Sequence, residues 1–367
     1  MQEENTKMPS MVYMMTNTNE MNQVVAFYRN MNGLLTFAAS YPTYGKGTGT
    51  KEVSTATPND GIDPLHSQGS LTLSRDGRFL FAVNAGSHSI SSFMVTKNGH
   101  LIFSDIKPSG GAQPNSIGIF GNLLYVSNIG DDANHFASNI SGFYVDDNGR
   151  LIPIPGSIRS LSTINAQPAQ VLFTPEGSKI VIPELTTNRL SVFNVNQNGT
   201  VTGPMINESN GNMPFGSYFL SSGLLLVTEV GSNALSSYSL SDNGILQVIS
   251  GSVPTGQKAT CWVTASKNER FAYATNTLNG TITIFLISSS GALTVAGHVT
   301  STPAGIPTGF PMNIEVSQDG RYLYTLNGNQ GTVSVFQIND EGSRLVRLQV
   351  AASSYVSYFG SQGLVVI

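Results

Sequence analysis

The amino-acid sequence predicts an all-β chain: a seven-bladed β-propeller of four-stranded antiparallel blades, its ring closed by the C-terminal strand pairing into blade one. Three observations carry this. First, residues 68–105 (QGSLTLSRDGRFLFAVNAGSHSISSFMVTKNGHLIFSD) alternate apolar and polar side chains between Asp-Gly and Asn-Gly turns, the pattern of four short strands. Second, the glycine of the third turn recurs at Gly33, Gly99, Gly149, Gly199, Gly244, Gly291 and Gly342, at intervals of 66, 50, 50, 45, 47 and 51 residues. The last residue of the second strand recurs in step as Asn17, Asn84, Asn128, Glu184, Glu229, Asn276 and Asn327. Third, the ends are complementary. The chain opens on MVYMMTN, which matches a second strand, and finishes on SQGLVVI, which matches the first strand SQGSLTLS. A lone four-stranded sheet cannot bury both faces, so the copies stack, and closing the ring hides their edges.

The elements follow in order. Blade one contributes MVYMMTN, QVVAFYR and LLTFAAS after a polar segment, residues 1–10, expected to be flexible. A long irregular stretch over 41–67, rich in Gly, Thr and Pro, accounts for the 66-residue interval. Blade two is the reference copy. Blade three runs from Gln113 to about Ser160 with an extended loop at 129–139, and blade four starts at Gln167. Blades five, six and seven start near Met213, Thr260 and Pro311. No segment has a useful helical period, and the repeat runs from end to end, so residues 1–367 read as one domain.

Composition narrows the function. The net charge is −4, only 11% of residues are charged, and the 18 Lys and Arg are scattered, which argues against a nucleic-acid partner. The single cysteine, Cys261, excludes an internal disulfide, and no apolar run is long enough to span a membrane. The N-terminus has no apolar signal core. The low charge and the Ser/Thr/Asn/Gly-rich surface suit an extracellular or a cytoplasmic monomer equally. No zinc spacing, phosphate-binding glycine loop or nucleophile elbow occurs, so neither metal nor cofactor is expected.

Topology selects one end of the ring. The start of each first strand lies beside the end of the antiparallel second strand. The long insertions 41–67 and 129–139 therefore share a face with the channel mouth, where a small-molecule ligand is expected. Counting back six positions from the first turn gives a ring of Gln68, Pro114, Pro168, Pro214, Thr260 and Pro311. One step further in come Gly69, Asn115, Ala169, Phe215, Cys261 and Met312, then Ser70, Ser116, Gln170, Gly216, Trp262 and Asn313.

The stretches SQGSLTLSRDGRFLFAVNAG and GSVPTGQKATCWV and the Gln-Pro blade starts resemble the seven-bladed β-propeller lactonase family, over essentially the whole chain. That family includes phosphogluconolactonase and carboxymuconate-lactonising enzymes. The resemblance is greatest to its carboxymuconate cyclase-like branch, whose members mostly have no assigned substrate. It implies a catalytic histidine, an arginine–histidine pair and a glutamate at the mouth. Here those positions fall on Ala169, Phe215, Gly216 and Glu229, so only the glutamate is kept. Loss of the cationic group argues against a phosphosugar, and Phe215, Cys261, Trp262 and Met312 suggest a less polar ligand.

Glu184 and Glu229 replace Asn in adjacent blades. As a pair they could bind a polyol or share a proton; otherwise they are solvated rim carboxylates. His66 could act as acid or base, or simply pack in its loop. His135 is a lid candidate or a surface residue. Cys261 reads better as a small buried hydrophobe than as a nucleophile, and Asp131 and Asp132 read better as a solvated loop than as a calcium site. The leading expectation is a lactonase-like hydrolase or cyclase, with Glu229 as base or water-orienting group. Glu184 and His66 assist it, and Gln68, Gln113, Asn115, Gln167, Gln170, Lys258 and Asn313 bind substrate. The alternatives are a non-catalytic recognition propeller for glycan or protein and a biosynthetic cyclase.

Overall fold

In the computed structural model the description covers residues 10–53, 63–131, 136–302, 309–356 and 359–367. Seven antiparallel sheets follow one another around a ring, six of four strands and one of five. The inner strands, in order, are Gln362–Val366, Leu71–Leu73, Pro114–Phe120, Leu172–Phe173, Pro214–Phe219, Thr260–Ala265 and Pro311–Val316. The fifth strand of blade three arises because its outermost strand is split into Leu151–Pro153 and Arg159–Ser160. Pro153 and Pro155 interrupt that edge, where proline is tolerated but cannot extend a ladder.

Closure occurs as the sequence predicts. The C-terminal strand pairs with Met11–Met15 in the register Val12 to Val366, Tyr13 to Val365 and Met14 to Leu364. Across the same seam the Arg29 guanidinium meets the Asp319 carboxylate at 3.0 Å.

The marker glycines have a physical reason. Each blade sends one side chain to the carbonyl of the marker glycine in the next blade. Tyr13 donates to Gly99, Ser92 to Gly149, Tyr125 to Gly199 and Asn207 to Gly244. Ser237 donates to Gly291, Tyr273 to Gly342 and Tyr324 to Gly33, which returns to the first blade. Every one of these glycines has φ between +74° and +116°, where a side chain would be strained. The turn thus presents its carbonyl to the neighbouring blade, and the period seen in the sequence is the period of this inter-blade bond. Apolar side chains between the blades, such as Phe81, Phe143 and Phe285, supply the bulk of the burial.

Candidate active site at the channel mouth

A second repeat builds the mouth. His66, Gln113, Gln167, Met213, Ala259 and Phe310, each just before an inner strand, all have φ between +46° and +56°. In five of the six, the carbonyl accepts from the residue that follows the second strand of its blade: Ile129, Leu185, Val230, Thr277 and Gly328. Four of these residues, His66, Met213, Ala259 and Phe310, line one cavity at the mouth, and non-glycine residues adopt this left-handed backbone only where the surroundings enforce it. This fixes the true register of blade two. Ser67 is equivalent to Pro114, and Gln68 to Asn115, Ala169, Phe215, Cys261 and Met312. The ring expected from the sequence is one residue out of step in blade two, because that blade carries one more residue than the other five between its left-handed residue and the turn after its first strand.

The leading loop of blade two is tied across the mouth from several sides. Leu65 N–H donates to Gln362 Oε1 at 2.7 Å, and Trp262 Nε1 donates to the Ser67 carbonyl at 2.9 Å. Ser67 Oγ donates to the Asn115 carbonyl at 2.6 Å. Gln68 then crosses the channel to blade six: its Nε2 donates to the Val263 carbonyl at 3.0 Å, and Val263 N–H donates to its Oε1 at 3.2 Å. Gly216 makes room for it, since a Cβ there would lie 2.4 Å from Gln68 Oε1.

Above this crossbar is a small cavity of 30 Å³, walled by Met213, Phe215, Cys261 and Phe310 and, on one side, by Asp63 and His66. That volume is enough for one or two waters. His66 is 7% exposed. Its Nδ1 lies 3.8 Å from Asp63 Oδ2 and its Nε2 lies 3.5 Å from Glu52 Oε2. Asp63 also accepts from His66 N–H at 3.1 Å and from the Gln362 amide. Burial pushes the Asp63 carboxyl up to about 6, with the His66 charge opposing the rise and Glu52 adding to it. Here an imidazole sits between two carboxylates on the wall of an otherwise apolar cavity.

The residues expected from sequence divide into four groups. His66, Phe215 and Cys261 face the cavity, and Trp262 and Met312 pack behind it in the same apolar cluster, with the Phe215 and Trp262 rings edge to face at 5.0 Å. Gln68, Gln170 and Asn313 line a separate cavity of 440 Å³ at the opposite end of the channel. Asn115 clips the loops, donating to the carbonyls of Pro168 and Leu65, and Gln167 donates to Asn165. Gln113 uses its backbone to hold His88 Nδ1, and Lys258 is exposed and lines neither cavity. His135 and Asp132 lie outside the described residues.

The two glutamates require correction. Glu184 and Glu229 are fully buried and are not rim carboxylates. Glu229 accepts from Gly211 N–H at 2.9 Å, Ser236 Oγ at 2.6 Å and Ser252 Oγ at 2.5 Å. Glu184 accepts from Ser162 N–H at 3.2 Å and from the hydroxyls of Ser162, Thr187 and Ser191. Neither lines the mouth cavity. Asn84, Asn276 and Asn327 donate to Ser91, Thr283 and Ser334, each seven residues on across the hairpin. The glutamates make that same step in reversed polarity and use their extra length to reach the loop from the preceding blade. Asp63 and Glu52 were missed by sequence reasoning, for they lie in the irregular stretch that has no period to read.

Among the described residues no group of three or more His, Cys, Asp or Glu side chains is gathered to hold a metal ion, and no helix is long and apolar enough to cross a membrane.

Comparison with known proteins gives a consistent picture. Residues 10–151 and 221–355 match the family described as Lactonase, 7-bladed beta-propeller. A 6-phosphogluconolactonase of Serratia proteamaculans is 31% identical over 80 residues, covering 21% of this chain and 24% of that protein. One of Formosa agariphila is 31% identical over 162 residues, covering 42% of this chain and 39% of that protein. The matched stretches thus span well under half the length of these relatives. The periplasmic gluconolactonase of Pseudomonas aeruginosa superimposes with a TM-score of 0.74 at 16% identity, covering 98% of both chains. A protein of Lactobacillus plantarum does so with a TM-score of 0.74 at 13% identity, covering 98% of this chain and 99% of its own. At these identities the structural likeness is one of fold.

Proposed function

Since the chain belongs to the lactonase family of seven-bladed β-propellers, we propose that it hydrolyses a small, weakly charged lactone or ester at the mouth cavity, with His66 as the acid–base group. The observation that carries this reading is the placement of His66 between Asp63 and Glu52 on the wall of an apolar cavity.

The chemistry follows from that setting. One or two waters fill the cavity beside the imidazole, so the lactone docks over its opening and presents only its acyl carbon to that water. His66 takes a proton from this water as its oxygen attacks the acyl carbon. The two carboxylates stabilise the imidazolium so formed, as an orienting acid does in other imidazole-based hydrolases. Collapse of the tetrahedral intermediate breaks the bond to the ring oxygen, and His66 returns the proton to that oxygen. The product is a hydroxy acid. Asp63, raised by its burial, is well suited to hold a positive charge that appears only in the transition state. Phe215, Met213 and Phe310 offer the acyl group an apolar wall, and among the described residues no Lys or Arg lines this cavity. That favours a substrate without a phosphate, unlike the substrate in the name of the curated relatives.

The test is a panel of unphosphorylated lactones and aryl esters, assayed with the wild type, His66→Gln and Glu229→Asn. Hydrolysis by the wild type that falls about 100-fold or more in His66→Gln, but persists in folded Glu229→Asn, is the expected result. Activity unchanged in His66→Gln would overturn it.

A further inference from the structure

The far end of the channel holds the larger cavity, and its chemistry is not that of the mouth. It encloses 440 Å³ and is walled by inner strands of blades one, two, three, four and seven. Gln68, anchored on Val263, separates it from the His66 cavity. A volume of this size falls in the range of small-molecule sites.

Four polar groups on its wall have hydrogen-bonding capacity that the described residues leave unused. Gln170 is 6% exposed and uses its carbonyl oxygen to accept Ser217 N–H at 2.6 Å, which leaves its amide N–H groups for the cavity. Asn313, 4% exposed, does the same with Gly363 N–H at 2.8 Å. The N–H donors they contact fix which end of each amide is oxygen. Glu315 lies on the same wall, and no hydrogen bond reaches its carboxyl from the described residues. Arg75 stands at the rim, exposed, with no carboxylate paired to it among the described residues. Buried polar groups are normally satisfied, so donors and an acceptor left over around one cavity point to a partner that supplies the complement.

The complement is specific in kind. Two amide N–H donors and a guanidinium suit a carboxylate and hydroxyl oxygens, the guanidinium with two parallel bonds. A carboxyl group as acceptor suits a hydroxyl hydrogen. Leu71, Ile117 and Leu364 cover the intervening apolar surface. We propose that this cavity is a second small-molecule site, for a polyhydroxylated carboxylate of the sugar-acid class, with Arg75, Gln170 and Asn313 holding its oxygens and Glu315 receiving a hydroxyl. Burial holds Glu315 high, at about 7, which lowers the cost of leaving it facing a cavity and keeps it compatible with an anionic ligand. The site does not depend on hydrolysis at the mouth: a chain without lactonase activity would still bind.

The experiment is calorimetric titration of the full chain with sodium D-gluconate at pH 7, repeated with Arg75→Ala, Glu315→Gln and His66→Gln. Thermal melts confirm that each variant is folded; Arg75 is exposed and its guanidinium makes no hydrogen bond or ion pair to the described residues. Saturable binding is expected, weakened about tenfold or more by Arg75→Ala, the loss of one charge-assisted hydrogen bond, weakened by a smaller factor by Glu315→Gln, the loss of a neutral carboxyl's bond to the ligand hydroxyl, and unchanged by His66→Gln. Binding lost in His66→Gln but kept in the other two places the ligand at the mouth and overturns the proposal. So does the absence of saturable binding by the wild type at millimolar gluconate, or an affinity indifferent to both Arg75→Ala and Glu315→Gln.

Discussion

Glu229 accepts the hydroxyl of Ser236 at 2.6 Å, by the same seven-residue step that joins Asn84 to Ser91 at 2.8 Å and Asn327 to Ser334 at 2.9 Å. The carboxylate also satisfies Gly211 N–H and Ser252 Oγ, so it ties its own blade to the loop arriving from blade four. Removing it leaves several buried donors without an acceptor. Glu229→Ala is therefore expected to destabilise the fold by about 2–4 kcal/mol. Glu229→Asn, which restores the residue used in five other blades, should cost less than half as much. Urea unfolding of the two variants checks this, and equal losses would show that the seven-residue step is not what the carboxylate supplies.

The fold was legible because one physical constraint repeats seven times. Each marker glycine offers its carbonyl to the preceding blade from a turn that suits glycine, so Gly33 through Gly342 keep time in the sequence. The closing strand was legible for the same reason. The mouth was legible only in part. Phe215, Cys261 and His66 stand at repeated positions and fall on the cavity wall. Asp63 does not: its partner Gln362 lies 299 residues away, and nothing in a local pattern announces that contact. Glu184 and Glu229 show a further limit. A sequence reveals that a carboxylate has replaced an amide, but not that it points between blades toward hydroxyls already waiting there.

The Asp63–His66 pair sets a pH dependence. The Asp63 carboxyl, pushed by burial up to about 6 against an ordinary 3.8, binds its proton more tightly in the folded chain than in the unfolded one. Its contribution to stability is thus full below about pH 4 and is lost as pH rises to about 6. Activity should move the opposite way, since only the ionised carboxylate supports an imidazolium. A plot of kcat/KM against pH is expected to rise through about pH 6, and Asp63→Asn should abolish that limb while lowering the plateau about tenfold or more. A variant profile that superimposes on the wild type would remove Asp63 from the reaction.

The closing seam carries its own electrostatic lock. Burial alone would raise the Asp319 carboxyl, but bonds from Ser317, Arg29 and Arg321 overcome that and hold it well below the usual carboxylate range. Arg29 is largely buried, lies 3.0 Å from Asp319 and sits over the Tyr322 ring at 5.3 Å. A lowered acid gives stability that is present above pH 4 or so and is lost as pH falls below it. Asp319→Asn is expected to cost about 2–3 kcal/mol at neutral pH and progressively less under acid conditions. Denaturant curves at neutral and acid pH test this; a loss independent of pH would mean that the seam is held by packing alone.

Glu315 predicts the reverse, and from the other end of the channel. Burial raises its carboxyl to about 7, and the ammonium of Lys267 offsets only part of the rise. The folded chain therefore keeps this proton over a range in which the unfolded chain has released it, and stability falls as pH climbs from about 4.5 to 7. Glu315→Gln keeps the shape and removes the charge, so it should leave stability unchanged near pH 4.5 and raise it at pH 8. Because the side chain faces a cavity that water can share, the gain is expected to be about 1–2 kcal/mol, less than the full shift would give. Urea midpoints of both proteins across this range decide the matter. If the variant keeps the wild-type slope, or is less stable at pH 8, then the carboxylate at the end of the channel has a partner that holds it charged, and its availability to a hydroxylated ligand is lost with the prediction.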